Sequence, residues 1–369
     1  MPAPPRGRRV APVAAVGLVL LAAGSLAALC WGTPTLGVGA MVRALGGDGD
    51  RLAVTVVNQL RAPRVLAAIA AGAALAVAGT LLQAVLHNRL ATPDLLGVGP
   101  GASVAVALVV VFGLPVPGVW FPVVATAGAA VGGAITLAAA RGLRQPSSVL
   151  LAGAAVGAAL GALVISVTSM AEQLQVQVLF RYLSGSLAAV AWSQVTPMAV
   201  WTAVALLAAL ALAPWLSVLV VGDRTAGTLG LPVDRVRRLA VAVCVALVAG
   251  AVSVAGPIAW IGFLGPFVVR LLLPDAGVAR QVPLSALAGA VITVGADLAA
   301  RIAFAPVESP VGAWTAVVGI ALAVTVVSGR LGRPGARADA RAPGPADQAE
   351  RFDRADRADR ETGAERADR

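Results

Sequence analysis

Apolar runs of about 20 residues recur along almost the whole chain, and they constrain the fold more than any other feature. A helix needs ~20 apolar residues to cross the hydrocarbon core of a bilayer. Backbone polar groups find no water there, so a spanning segment must be a helix or a strand of a closed barrel. Hydrophobic residues make up 59% of the 369 residues, charged residues 12%, and the mean hydropathy is +0.87. The sequence therefore predicts an all-α integral membrane protein.

Glycine, proline and charged residues divide the apolar sequence into about ten candidate transmembrane helices. The predicted spans are 10–32, 62–86, 95–113, 119–140, 149–170, 195–221, 238–256, 258–273, 283–305 and 312–329. The boundary between the seventh and eighth spans is the least defined, because only the letters AGPIAW separate them. A signal peptide is the alternative for the first run, but that run is long enough to span and no small-residue cleavage site precedes a soluble domain.

The arginines predict the topology, because short cytoplasmic loops are enriched in basic residues. With the N-terminus inside, the even-numbered loops and both termini lie in the cytoplasm. The arginines assigned to the inner side after the N-terminus are Arg89, Arg141, Arg144, Arg224, Arg235, Arg237, Arg238, Arg270, Arg280, Arg330 and Arg333. We expect a cytoplasmic N-terminus (1–9), a ten-helix domain (10–330) in the cytoplasmic (inner) cell membrane, and a disordered cytoplasmic tail (331–369) with almost no large apolar residues.

The side-chain inventory excludes several kinds of site. All 28 basic residues are arginine, and without lysine the chain can form neither a Walker-type ATP site nor a Schiff base. One histidine (His87) and two cysteines (Cys30 and Cys244) provide no cluster with metal-ligand spacing, so we expect no cofactor. The net charge of +10 comes from residues 1–330, where the arginines lie mostly in short loops, and it does not indicate nucleic-acid binding.

The most specific stretch of the sequence lies between the second and third spans. Residues 88–102 read NRLATPDLLGVGPGA, in which Pro93 discourages helix at the residue before it and three glycines allow sharp turns. The order resembles the signature Asn-Pro-Leu-Ala-x-Pro-x-Leu-Leu-Gly-x-x-x-Gly-Ala of FecCD-type permeases, which belong to type II ABC importers of iron chelates and vitamin B12. The matching positions are Asn88, Leu90, Ala91, Pro93, Leu96 and Gly97.

Further stretches carry the same resemblance over roughly residues 50–330. They begin at residues 61, 151, 180, 229, 255 and 283, and the last of them is followed by Thr315. The chain departs from the family pattern at Arg89, where the family has proline, and at Phe267, where it usually has histidine. The resemblance implies a vitamin B12 permease-like architecture whose path is lined by spans five, eight and ten with the loops beside them.

The same resemblance implies partners on both faces of the membrane. The loop 222–239 matches the coupling helices that enter a cleft of separate ABC ATPase subunits, and its key residues are Asp223, Ala226, Gly227, Leu229 and Gly230. Asp223 is expected to cap a short helix that Gly230 and Pro232 end. The alternative is an ordinary charged loop. A second permease subunit, identical or paralogous, completes the implied transporter.

Three arginines lie on the outer side, where basic residues are disfavoured. Arg61 and Arg64 are expected to begin the second span, and Arg301 lies near the outer end of the ninth. In the family, arginines at these positions receive glutamates of a substrate-binding protein or lipoprotein, and such charge matching fixes orientation. The alternative for Arg301 is an intrahelical pair with Asp297, four residues earlier.

The expected cargo is a ferric siderophore, with haem or cobalamin as alternatives. An ion-coupled secondary transporter is a rival class, because it too has many spans, but it usually carries intramembrane carboxylates or broken helices. The sequence offers only Asp297 as an intramembrane acid. A membrane enzyme is a second rival, and the sequence contains no catalytic cluster for it.

Overall fold

The computed structural model describes residues 10–117, 120–139, 146–188, 190–305 and 307–331. Regular secondary structure in these ranges is helical, as predicted. The α-helices are α1 (Val10–Cys30), α2 (Val38–Leu45), α3 (Arg51–Thr55), α4 (Ala62–Val85), α5 (Val98–Val111), α6 (Phe121–Ala139), α7 (Pro146–Thr168), α8 (Gln173–Leu183), α9 (Trp192–Leu219), α10 (Asp223–Thr228), α11 (Val233–Ala255), α12 (Ile261–Leu272), α13 (Val278–Ile302) and α14 (Val311–Leu331).

Each of the ten predicted spans has a helical counterpart, but not all of these helices are long enough to cross a bilayer. Six are long and apolar enough, namely 10–30, 51–85, 151–168, 192–219, 233–255 and 278–302. The third and eighth spans were predicted too long, since α5 has 14 residues and α12 has 12. At ~1.5 Å per residue they cover only about 21 and 18 Å. A 3-10 helix, Pro93–Leu96, precedes α5, and residues 256–260 before α12 are not helical.

The second span starts earlier than predicted. Helical structure runs without a break from Arg51 to Val85, and the first ten residues pack beside α2 through Ala53 and Val57. Residues 56–61 form a π-helical turn in which the backbone N–H of Ala62 donates to the Val57 carbonyl. Pro63 follows directly, and its ring cannot tolerate the normal carbonyl four residues back, so the helix widens by one residue. Arg61 and Arg64 therefore lie inside this long helix and not at its beginning.

Helix α4 is the centre of the bundle. It is buried along almost its whole length, and α9, α11, α12 and α13 pack around it. A Cβ added to Gly72 would lie 2.3 Å from the Gly289 carbonyl oxygen, and one added to Gly79 would lie 1.7 Å from the Gly262 oxygen. Because lipid provides no hydrophobic drive between helices, such close backbone contact through small residues is the main source of packing energy.

One compact unit extends to Val317, and a second runs from Val318 to the C-terminus. The second unit is described only as the continuation of α14 to Leu331. The predicted N-terminal segment 1–9, the tail from residue 332 and the loop arginines Arg141 and Arg144 lie outside the described residues.

Candidate functional site

Residues 87–97, which carry the family signature and are called the motif loop below, begin with a tight turn at the end of α4. His87 adopts a φ of 48°, and its Nε2 lies 3.0 Å from the carbonyl oxygen of Leu219 at the end of α9. The Asn88 side chain accepts a hydrogen bond from the backbone N–H of Leu90, at 2.9 Å. Leu90 is 71% exposed, whereas Ala91 is fully buried. Asn88 therefore shapes the turn, and His87 joins the ends of two helices.

After this turn the chain folds back along α4 as a short 3-10 helix, Pro93–Leu96. A Cβ on Gly262 would meet both the Pro93 ring, at 2.4 Å, and the Leu75 carbonyl oxygen, at 3.3 Å. Leu75 lies ten residues before the end of α4, a rise of about 15 Å. The motif loop is therefore re-entrant, and it brings Pro93 alongside the middle of α4 at the start of α12.

Gly97 turns the re-entrant segment into α5. Its φ is +67°, a left-handed conformation that glycine adopts without steric cost. The carbonyl of the preceding Leu96, which is buried, accepts a hydrogen bond from the Thr136 hydroxyl at 2.8 Å. A Cβ on Gly97 would lie 3.0 Å from that hydroxyl. The glycine of the signature is thus required by both conformation and space.

Gln83 links the motif loop to α12, and the sequence did not single it out. Its side-chain amide donates to the Ala91 carbonyl at 3.1 Å, and its oxygen accepts from Arg270 at 2.6 Å. Arg270, predicted only as a topology determinant, therefore ties α12 to α4. Phe267, at the family's histidine position, stacks on Phe263 with ring centroids 5.3 Å apart.

Asp94, inside the motif loop, is a second acid within the bundle that the sequence interpretation missed. Its carboxylate accepts a hydrogen bond from the backbone N–H of Trp260, the residue before α12. Asp94 is exposed in the single chain, whereas Pro93 and Leu96 beside it are buried. A single aspartate in an apolar loop gave no sequence signal of this position.

Three stretches that carried the resemblance are joined by hydrogen bonds. The Tyr182 hydroxyl donates to the Val252 carbonyl at 3.1 Å, and the N–H of Gly312 donates to the Gly185 carbonyl at 3.3 Å. Thr315, on α14, donates to the Ala259 carbonyl at 2.9 Å. The segments before α9, α12 and α14 are therefore joined by hydrogen bonds over long sequence separations.

The arginines predicted to lie on the outer side come together near the C-terminal end of α1. Arg61 is 3% exposed and donates to the carbonyls of Leu29 (2.8 Å), Cys30 (3.0 Å) and Pro34. Arg301 is 8% exposed and donates to the carbonyls of Ala28 and Trp31, each at 2.8 Å. The last carbonyls of a helix lack partners within it and carry partial negative charge. The two guanidinium groups satisfy these carbonyls at the end of α1.

Arg64 belongs to the same group but pairs with carboxylates. Its Nε donates to both oxygens of Asp297, at 2.9 and 3.1 Å, and its Nη1 to both oxygens of Glu308, at 3.1 and 2.8 Å. The Asp297 side chain is 2% exposed and the Glu308 side chain 42% exposed. Asp297 thus pairs between helices, with Arg64, and not with Arg301 as the intrahelical alternative had it. Glu308 was not recognised from the sequence.

The predicted coupling loop forms the short helix α10. Its cap is Gly222, so the prediction that Asp223 caps the helix is wrong; Asp223 instead pairs with Arg237 at 2.8 Å. Ala226 is fully buried, Leu229 is 70% exposed, and nothing lies within 4 Å of a Cβ built on Gly227. Gly230, with a φ of +81°, follows the end of α10, as predicted. Helix α11 begins right after Pro232, five residues before the predicted start of the seventh span at 238. Helix α10 therefore presents a small, open surface at Gly227.

Comparison with known proteins identifies the family. The model of the FecCD transport family matches residues 20–328. The Fe(3+)-citrate import system permease protein YfmD of Bacillus subtilis (strain 168) is 38% identical over 267 residues, 72% of this chain and 78% of YfmD. The Fe(3+) dicitrate transport system permease protein FecC of Escherichia coli (strain K12) is 34% identical over 315 residues, 84% of this chain and 92% of FecC. A solved structure described as an inward-facing metal-chelate type ABC transporter matches with a TM-score of 0.73 at 25% identity, covering 85% of this chain and 97% of that one. On this evidence the chain belongs to the FecCD transport family.

Proposed function

We propose that this chain is the permease subunit of an ABC importer that takes up a ferric siderophore complex across the cytoplasmic membrane. Separate ATPase subunits supply the energy, and an extracytoplasmic binding protein delivers the chelate. The observation that carries the proposal is the re-entrant motif loop, which packs on α7 and at the start of α12, in a chain matched by the FecCD family model over residues 20–328. Haem and cobalamin remain alternative cargoes within the same proposal.

The binding protein docks on the outer cluster, which is formed by Arg61, Arg64, Arg301, Asp297 and Glu308. In this docking a carboxylate of the binding protein takes the place of a carboxylate of the cluster. Arg61 and Arg301 have their N–H groups on the carbonyls of α1, and Asp297 is buried with Arg64. Glu308 is the one part-exposed partner of Arg64 in this cluster. A glutamate of the binding protein replaces Glu308 beside Arg64. The positive charge of Arg64 that Glu308 had balanced is then balanced by the binding protein. Such pairing fixes the orientation of the partner more than it adds affinity.

The ATPase subunits bind α10 and the residues that follow it. Helix α10 is held by the Asp223–Arg237 pair and by the buried Ala226, so movement of α10 is passed to α9 and α11. Gly227 and Leu229 provide the open surface that enters the ATPase cleft. The chain pairs with a second permease subunit, identical or paralogous, and both of its termini lie in the cytoplasm.

The experiment is iron-limited growth of a strain that lacks this gene, supplied in turn with ferric siderophores, ferric citrate, haem and cobalamin. We expect the deletion to abolish growth on one ferric siderophore, and the intact gene to restore it only when its ATPase partner is present. Loss of growth on haem, or of cobalamin uptake alone, would select that alternative cargo. Transport by the purified chain alone, driven by an ion gradient, would contradict the proposal and support a secondary transporter.

A further inference from the structure

An apolar groove lies between α1, α12 and α13. Its cavity volume is about 350 Å³, which is within the range of small-molecule sites. Every residue that lines it is apolar, so its occupant must be hydrocarbon. The lining runs from Pro12 to Leu20 on α1, from Val268 to Leu272 on α12 and from Leu284 to Ile292 on α13.

The groove has the depth of one leaflet of the membrane. Its lining comes from the first half of α1, the last turns of α12 and the first part of α13. In the proposed topology these three parts lie together at the cytoplasmic face, where Val10 packs against the cluster that contains Leu273 and Leu284. From Pro12 to Leu20 the helix rises about 12 Å, against roughly 15 Å for half of the hydrocarbon core. The groove therefore belongs to the cytoplasmic leaflet.

Positive charge stands at the cytoplasmic end of this groove. Arg280 is exposed and precedes Leu284 by four residues, so it lies one turn nearer the start of α13 on the same face of the helix. None of the ion pairs among the described residues includes Arg280. Residues 1–9 contain three further arginines just before α1 in the sequence, whereas the turn between α12 and α13 contains one acid, Asp275. This excess of positive charge beside a hydrocarbon groove matches the head group of an anionic phospholipid.

The size of the cavity favours an acyl chain over a helix of a partner subunit. A helix is about 10 Å across with its side chains, so a 12 Å length of it occupies roughly 900 Å³, more than twice the space available. The buried residues of α1 are Ala28 and Cys30, at the opposite end from the groove. A hydrocarbon chain in the groove therefore adds contacts to the part of α1 that has the fewest.

We propose that this groove binds one acyl chain of an anionic phospholipid of the cytoplasmic leaflet, with Arg280 on the phosphate. The chain lies along Val16 and Leu287, and the bound lipid fastens α1 to α12 and α13. This inference goes beyond the proposed transport function, because it does not depend on the cargo.

Two pairs of variants separate this site from general contact with lipid. Val16→Trp fills the groove, whereas Val19→Trp places the same side chain on the same helix outside the lining; Val16 is 59% exposed and Val19 67% exposed. Arg280→Gln removes the charge beside the groove. Arg238→Gln removes the charge of an exposed arginine on α11 and is the matched control.

The experiment is native mass spectrometry of the full-length chain in detergent, titrated with phosphatidylglycerol and with phosphatidylcholine that has the same acyl chains. We expect Arg280→Gln to weaken binding of the tightest phosphatidylglycerol about 5-fold and to leave phosphatidylcholine unchanged. Val16→Trp should weaken both lipids at least about 5-fold. Val19→Trp and Arg238→Gln should bind both lipids as the wild type does.

Equal binding of the two lipids by the wild type overturns the proposed head-group recognition. Equal lipid binding by Val16→Trp and Val19→Trp overturns the groove as the site. Loss of pairing between permease subunits in Val16→Trp alone, with lipid binding unchanged, also overturns the proposal and assigns this face to a second copy of the chain.

Discussion

At the scale of single residues, Gly97 is the position of the motif loop that tolerates substitution least. Alanine at φ +67° costs about 1–2 kcal/mol in backbone strain, and its Cβ would crowd the Thr136 hydroxyl at 3.0 Å. We therefore expect Gly97→Ala to lower the melting temperature in detergent. Gly99→Ala is the control, because its Cβ would meet only Pro257 at 3.8 Å and its φ is unstrained. Equal melting temperatures for the two variants would contradict this account.

At the scale of elements, the contact of α4 with α13 depends on two facing glycines. A Cβ on Gly289 would lie 2.2 Å from the Gly72 carbonyl oxygen, so Gly289→Ala must push the helices apart, at a cost of about 1–3 kcal/mol. Gly295 lies on the same helix with nothing within 4 Å, and alanine there should gain up to ~1 kcal/mol from helix propensity. Thermal unfolding of the two variants measures the difference. A melting temperature for Gly289→Ala at or above that of Gly295→Ala would count against this packing.

The sequence predicted the number and type of these elements because a fixed hydrocarbon thickness demands a fixed apolar length. It did not predict the short α5 and α12, since Asp94 and Trp260 stand in apolar stretches whose composition is the same in helix and in re-entrant chain. Nor could it assign the partners of Arg61 and Arg301, which lie about 30 and 270 residues away along the chain. The family signature located the loop, and only the folded backbone revealed what each of its residues contacts.

At the scale of the whole molecule, a substitution at Glu308 tests the docking proposal with the least disturbance of folding. Arg64→Glu would place a third carboxylate beside the buried Asp297, so misfolding would hide any docking effect. Glu308→Gln removes the part-exposed competitor for Arg64 at little cost, because such pairs contribute only ~0–1 kcal/mol. We expect the variant to bind the binding protein about 3- to 5-fold more tightly at low salt. The control is Asp48→Asn, because Asp48 is an exposed acid outside the observed ion pairs. Weaker or unchanged binding by Glu308→Gln would contradict the proposal that a carboxylate of the binding protein replaces Glu308.

Coupling to the ATPase can be tested at Gly227. No atom of the described chain lies within 4 Å of a Cβ there, so Gly227→Trp should leave the isolated subunit folded. Within the complex the indole would fill the cleft that receives α10, and we expect uptake to fall at least about 10-fold while the ATPase still hydrolyses ATP, an effect equivalent to ~1.4 kcal/mol. Gly39→Trp, at an equally open position on α2, is the control. Normal uptake by Gly227→Trp would exclude this surface from coupling.

The capping of α1 by Arg61 and Arg301 also has a consequence for biogenesis. Helix α1 leaves the ribosome before the helix 51–85 and before α13, yet guanidinium groups of those two helices complete its C-terminal end. The carbonyls of Leu29 and Cys30 can find Arg61 early, but those of Ala28 and Trp31 lack Arg301 until the ninth span has been inserted. A nascent chain released before that point would carry α1 with unsatisfied carbonyls at its C-terminal end. Quality-control proteases could recognise the incomplete protein by this end of α1.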